Sequence, residues 1–156
     1  MESRQKRAPA DLMNSLTFFV LGVPIGKTYG FSKGGHQYMK AHVKRWEKTV
    51  ALAAQAAAGA AFQPYEGFVE ESMYFSFPIP ESRMCKVVGL HPENCKKIHP
   101  GDLHGQDPDT SNLVKSAEDA IKRLLFIDDN RAMLGSCSKH WCAPGNEGVE
   151  ITVRFL

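Results

Sequence analysis

Apolar and polar positions change period several times along the chain, and each change marks a predicted element. Residues 16–22 are aromatic and branched, which favours a strand, and Gly22-Val23-Pro24 closes it. A glycine-rich loop from Gly26 to Gly35 carries Lys27, Tyr29, Phe31 and Lys33. From His36 to Ala61 the period becomes helical. Val43, Trp46, Val50, Ala53 or Ala54, and Ala57 form its apolar stripe, with Lys40, Lys44, Arg45 and Lys48 on the polar side and Gly59 and Pro64 at its end. Ser72 to Phe77 alternates as a strand does, and Pro78 and Pro80 stop it. Residues 81–107 are irregular. Leu113, Ala117, Ala120, Ile121 and Leu124 then give a second helix, from about Ser111 to Arg123, while Asn112, Lys115, Asp119 and Lys122 share another face. Pro108 favours extended backbone before it, and Thr110 or Ser111 can cap it. Arg131 to Trp141 and Val149 to Phe155 read as strands joined by a turn, a pairing expected to be an antiparallel hairpin. The order predicts an α/β domain of the α+β type: a mixed sheet of about four strands packed by two main helices.

A chain of 156 residues suits one domain with a real core. Residues 1–14, with Arg4, Lys6 and Arg7, read as a flexible basic tail ahead of a domain over 15–156. Apolar residues make up 43% and charged residues 23%, the proportions of a soluble globular protein. A formal charge of +2 excludes a strongly basic, polymer-coating composition, so any nucleic-acid affinity must come from local clusters of the 19 lysines and arginines. The four cysteines occur without a secretory context, which points to thiols in a reducing cytoplasm. The apolar run at 16–25 is interrupted by Gly22 and Pro24 and is too short to cross a bilayer, so no membrane association is expected.

The second helix has acidic residues at both ends: Asp109 at its entrance, Asp128 and Asp129 beyond its exit. Spacing alone leaves two readings open. Asp109 can favour the positive helix N-terminus and Asp128-Asp129-Asn130 can be a polar turn, or the same groups can hold a hard cation.

The pattern D-x-S-N-L-x-K-x-x-x-D-A, followed by a short apolar stretch and D-D, resembles the core signature of the RusA family of Holliday-junction resolvases. Thr17 to Pro24 with Lys27 is similar to that family's opening strand and basic loop, and Phe75 to Pro80 to its middle strand. His104 ahead of Pro108-Asp109, Lys139, and Gly148 to Ile151 also fit, so the likeness covers the chain after the first dozen residues. It implies a phage or prophage-type enzyme of DNA recombination and repair, a magnesium-dependent endodeoxyribonuclease (manganese as a substitute) that cuts four-way junctions by paired nicks as a homodimer. Carried over residue by residue, Asp109 and Asp129 match catalytic, metal-binding aspartates and Lys115 a catalytic lysine. Asp128 is a further metal ligand, with Asp119 and Ser111 as additional candidates. Lys27, Lys33, Asn112, Lys115 and Lys139 are the expected DNA contacts. The departure is Ser111, which stands where the family pattern has a second aspartate. Its hydroxyl can hold a metal or a water without bringing charge, and the alternative function is a catalytically weakened junction-binding protein.

A straight helix from Ser111 to Arg123 would separate Asp109 from Asp129 by roughly 18 Å at 1.5 Å per residue. A shared ion therefore requires a shorter helix, a sharp reversal after Leu125, or two acidic ends meeting across a twofold dimer. Separately, Cys85, His91, Cys95 and His99 offer the donors of a tetrahedral zinc site, at spacings unlike the tight C-x2-4-C pair of a finger. An ordinary surface loop is the alternative there, and Cys137 and Cys142 are either substitute ligands or small buried hydrophobes. A zinc-stabilised interaction module with purely structural acidic ends is the remaining functional class.

Overall fold

The computed structural model describes residues 14–86 and 96–156. Strand β1 (Ser15–Leu21) is followed by a short hairpin of β2 (Tyr29–Phe31) and β3 (Gln37–Met39), then helix α1 (Ala41–Ala58) and β4 (Val69–Pro78). Helix α2 (Thr110–Ile121) leads to β5 (Ala132–Cys142) and β6 (Gly148–Phe155). The main sheet has the order β1-β6-β4-β5, with β4 and β5 parallel and the other neighbours antiparallel. The parallel pair needs a crossover, and α2 lies in it. The mixed sheet with two helices is the α+β domain expected. The basic tail lies outside the described residues except for Asn14, as do His91 and Cys95 of the cysteine-histidine segment.

One face of the sheet is dry. Leu16, Phe18 and Val20 of β1, Val69, Met73, Phe75 and Phe77 of β4, and Val149, Ile151 and Val153 of β6 point into it with strict alternation. Val43, Trp46, Val50 and Ala54 of α1 and Leu113, Ala117, Ala120 and Ile121 of α2 cover them. Both helical stripes thus pack much as their spacing predicts, although Ala57 is exposed and Leu124 lies beyond the helix. The opposite face carries polar cross-strand pairs such as Thr17 with Thr152 (2.9 Å) and Arg154 with Glu70 (2.9 Å).

Three boundaries differ from expectation. The helix does not begin at His36, because Gly35 (φ 77°) turns the chain so that Gln37–Met39 pairs back on Tyr29–Phe31. Asp109, rather than Thr110 or Ser111, flanks the first turn of α2, and its side chain makes no capping bond. Strands β5 and β6 do not form the expected hairpin: β4 lies between them. The inward rows of β4 and β6 are the most fully buried, and these strands take the places where a strand is paired on both sides. β5 includes exposed Gly135 and Ser136 and goes to the edge.

Phe75 is completely buried at the centre of this layer. Phe75→Ala should cost about 3–5 kcal/mol of unfolding free energy through lost contacts and a residual cavity. Urea denaturation would measure it, and a loss below about 1 kcal/mol would contradict a single core closed around this strand.

Candidate active site

Helix α2 ends earlier than its apolar period suggests. Arg123 takes φ 67°, and its N–H donates to the Phe126 carbonyl (2.7 Å), so the chain doubles back within four residues. Tyr65 holds the reversal: its N–H donates to the Leu125 carbonyl (2.9 Å), and its own carbonyl accepts from Ile127 (3.1 Å). Leu125 and Phe126 anchor the turn in the core. The exit aspartates thereby return to the last turn of α2, where the Asp129 carboxylate pairs with Lys122 at 2.8 Å. Asp128 accepts from the Asn130 N–H (3.0 Å) and starts a 3-10 turn over Asp129–Arg131.

On the same helix face, Lys115 lies 3.4 Å from Asp119 and 3.9 Å from Glu118. The Lys115 ammonium is held above its ordinary pKa, chiefly by the Asp119 charge, with Glu118 and Asp129 adding to it. Asp129 is held below the usual carboxylate range, first by its hydrogen bond with Lys122. Glu118 is pushed up by burial; Lys115 works against that shift, and the nearby Asp119 and Asp129 charges add to it. The structure therefore brings together Lys115, Asp119 and Asp129 and adds Glu118.

Lys27 has a different place from that of a loop residue reaching out to DNA. It is 9% exposed, and its ammonium is bonded to Asp119 and lies 3.2 Å from Glu47 of α1. Burial alone would lower its pKa, but the hydrogen bonds and charges of Asp119 and Glu47 outweigh that and raise it. The backbone around it docks on α2 as well: the Lys27 N–H donates to the Asn112 carbonyl (2.9 Å). A Cβ on Gly26 would come within 3.0 Å of the Pro108 Cβ and 3.2 Å of the Asn112 Cβ, so a side chain there would push the loop and the helix entrance apart by a few tenths of an ångström.

The helix entrance is organised from β5. Lys139 donates to the carbonyls of Gln106 (2.7 Å) and Pro108 (2.8 Å), which commits its ammonium to the loop before Asp109. His104 is buried between Phe77 (ring centroids 4.4 Å apart) and Trp141 (4.0 Å), and burial, then the Lys139 charge, lowers its pKa. Asp109, Ser111 and Asn112 are solvent-exposed here, and Lys33 is exposed between β2 and β3 beside exposed Phe31 and Tyr38. Asp109 precedes the first residue of α2, while Asp129 pairs with Lys122 just past its last residue and its charge reaches Lys115 and Glu118 within the helix.

Glu118, beside Lys115, and Glu71, a buried acid of β4 whose carboxyl feels the Glu118 charge, carry no signal in the sequence reading. Glu71 is in phase with Val69, Met73, Phe75 and Phe77, making it the one acidic side chain on the dry face of β4. It is 1% exposed, and its Oε1 has no hydrogen-bond partner. Burial, then the Glu118 charge, pushes its carboxyl up to about 8. Extending the strand's alternation upstream of Ser72 would have exposed this conflict between position and residue type.

Among the described residues no three histidine, cysteine or acidic side chains converge on a ready-made metal cage. The donor set nevertheless suits a hard cation: the carboxylates supply oxygen alone, the buried Glu71 Oε1 lacks a hydrogen-bond partner, and magnesium is commonly held by one or two carboxylates plus substrate phosphate. The described helices include none long and apolar enough to cross a membrane.

Fold and site together define an α+β domain with a lysine set among carboxylates on one face of a crossover helix, an arrangement suited to phosphodiester chemistry. The family model described as Endodeoxyribonuclease RusA matches residues 22–154, and the chain belongs to that family. No curated protein matches it.

Two consequences are measurable. Lys27→Met should lower stability by roughly 2–3 kcal/mol, less than for a sealed ion pair because Asp119 and Glu47 keep some water contact. If urea melts show a loss no larger than for exposed Lys48→Met, the bridge contributes nothing. Without metal, unfolded Glu71 releases its proton near 4.5 whereas the fold retains it to about 8, so stability should fall as pH rises through that window. Thermal melts in EDTA should show this slope in the wild type and a flatter one in Glu71→Gln; equal slopes would remove Glu71 as the source.

Proposed function

We propose that this protein is a magnesium-dependent, structure-selective endonuclease that resolves four-way DNA junctions by paired nicks, acting in the cytoplasm as a homodimer. The observation that carries the reading is the reversal at Arg123. It sets Asp129 on the same helix face as Lys115 and Asp119, so that a positive group and several carboxylate oxygens share one surface. Family membership supplies the class of reaction.

Lys115 is exposed and suits a non-bridging phosphate oxygen, whose developing charge it would stabilise. Asp129, with Asp128 beside it, presents ionised oxygens, and its depressed pKa keeps them so in mild acid. Asp109 and Ser111 hold the entrance end of the same helix, and the reversal at Arg123 turns Asp129 back along it. A twofold dimer would bring the entrance of one copy towards the exit of the other and present two sites to a symmetric junction. A bound magnesium ion would supply charge relief at the phosphate and a more acidic attacking water. Asp119 serves Lys27 and Lys115 and is best read as a positioning group. Exposed Lys33, Phe31 and Tyr38 offer phosphate contact and base stacking.

A second reading, a junction binder with weakened catalysis, draws on the exposed Ser111, which adds no charge beside Asp109. One assay separates the two. A synthetic four-way junction with magnesium should yield paired nicks, while Asp129→Asn and Lys115→Met should each lose about 100-fold or more in rate yet retain salt-sensitive binding. Tight binding with no cuts in magnesium or manganese, and cuts restored by Ser111→Asp, would favour the second reading instead.

A further inference from the structure

We propose that the β2–β3 ribbon is a base-stacking wedge that takes unpaired bases at a DNA branch point, with Tyr29 and Phe31 on one face and Tyr38 on the other. The assignment deepens the nuclease reading and rests on it for the branched substrate. It gives the site a means of telling a junction from linear duplex.

The ribbon presents its rings to solvent. It forms a two-stranded sheet of its own, apart from the main sheet, and pairs Tyr29 with Met39, Gly30 with Tyr38 and Phe31 with Gln37. All three rings are exposed, Phe31 by 70%. Side chains alternate along a strand, so Tyr29 and Phe31 share one face while Tyr38 takes the other. A Cβ on Gly30 would come within 2.5 Å of the Tyr38 ring, so the missing side chain lets that ring lie against the ribbon backbone. Residues two apart on an antiparallel strand stand about 6.8 Å apart at 3.4 Å per residue, and stacked bases are about 3.4 Å apart, so one base has room between Tyr29 and Phe31. The turn is closed by the Ser32 N–H to the His36 carbonyl (2.9 Å) and the Gly35 N–H to the Ser32 carbonyl (2.9 Å), which holds the rings in place before DNA arrives.

Charge and position both point to DNA as the occupant. No acidic residue lies between Asp11 and Glu47, whereas Lys33, Lys40, Lys44 and Arg45 run from the ribbon's tip into the first turns of α1. Among the described residues none of these four is in an ion pair, and a polyanion supplies the counter-charge. The root of the ribbon is fixed beside the candidate active site: the Lys27 N–H bonds to Asn112, and its ammonium shares the Asp119 carboxylate with Lys115. Tyr29 follows two residues on, no more than about 7 Å away along even a fully extended chain. At the other stem the chain enters α1, whose Val43 and Trp46 are buried. A base on the ribbon and a phosphate on Lys115 are thus within reach of one DNA strand. Bases inside a continuous duplex already stack on both sides and are costly to turn out, whereas a branch point breaks the stack and lowers that cost. Stacking is tolerant of base identity, which makes the ribbon a reader of DNA structure rather than of sequence.

Binding by the full chain in EDTA tests the ribbon without reference to cleavage. Fluorescence anisotropy compares a synthetic four-way junction with a linear duplex of the same sequence. The wild type should prefer the junction, and Phe31→Ala should lower the ratio of junction to duplex affinity by about tenfold, with Phe31→Trp keeping it. Tyr29→Ala and Tyr38→Ala should act in the same direction. Phe31→Ala, at the most exposed of the three positions, should melt as the wild type does, and covers the case in which Tyr38→Ala unsettles the ribbon by uncovering Gly30. Lys33→Ala should instead weaken both DNA forms alike and reduce the salt slope by about 1. A wild type that binds both forms equally, or a Phe31→Ala protein whose ratio stays within about twofold of wild type, would overturn the assignment. Cleavage in magnesium is scored separately. A ring-dependent junction preference in a protein that cuts nothing would support the ribbon and reject the nuclease reading. Junction cuts whose rate and binding ignore all three rings would do the reverse.

Discussion

The Lys27 ammonium joins both helices through a single charge. It meets Glu47 on α1 and Asp119 on α2, while its own backbone bonds to Asn112 and its neighbour Gly26 lies against Pro108. A lysine fits here because its long stem can cross apolar surface while its head bonds to Asp119 and lies beside Glu47. With Lys27 in place, Asp119 is anchored from below, and Lys115 can lean on it from above and still face solvent. The helix rotation that buries Leu113, Ala117 and Ile121 is the same rotation that presents Lys115 and Glu118, so core packing and site geometry are one constraint.

Around that anchor the acids differ by depth. Asp129, near water and bonded to Lys122, is a readily ionised carboxylate. Glu118, half-buried, holds its proton more tightly, and Glu71, almost fully buried, holds it to about 8. Desolvation explains the ordering more than any pairwise charge, since burial heads the causes for both glutamates. The same gradient limits stability, because each buried acid without a cation opposes folding above its unfolded pKa.

Much of the fold was legible from residue periodicity. The stripes Val43-Trp46-Val50 and Leu113-Ala117-Ile121 are local signals, set by one helix facing one apolar surface, and they were packed as expected. The strands at 16–22, 72–77, 131–141 and 149–155 were placed within a few residues. Partnership was not legible. Adjacency in the chain points to a β5–β6 hairpin, yet β4 intervenes, because pairing depends on how strands distant in sequence are buried together in the sheet. The hairpin at 29–39 was read as loop and helix, since its short strands derive their pairing from the Gly35 turn rather than from any apolar alternation.

The functional residues divide along the same line. The motif from Asp109 to Asp129 already contained Lys115, Asp119 and both exit aspartates, together with the family resemblance, because these lie close in the chain. Lys27 was visible as a residue but not as a buried one: its two partners are 20 and 92 positions away. Glu71 was passed over because an acid inside a strand carries no local mark of what covers it. What the sequence by itself determined was the set of elements and the helix carrying the acidic and basic groups, since periodicity and motif spacing act within a few turns of chain. Only the tertiary structure decided which end of α2 meets Asp129, which lysine is spent inside, and which glutamate is left without a counter-charge, since desolvation and pairing are properties of surfaces that meet only when the chain is folded.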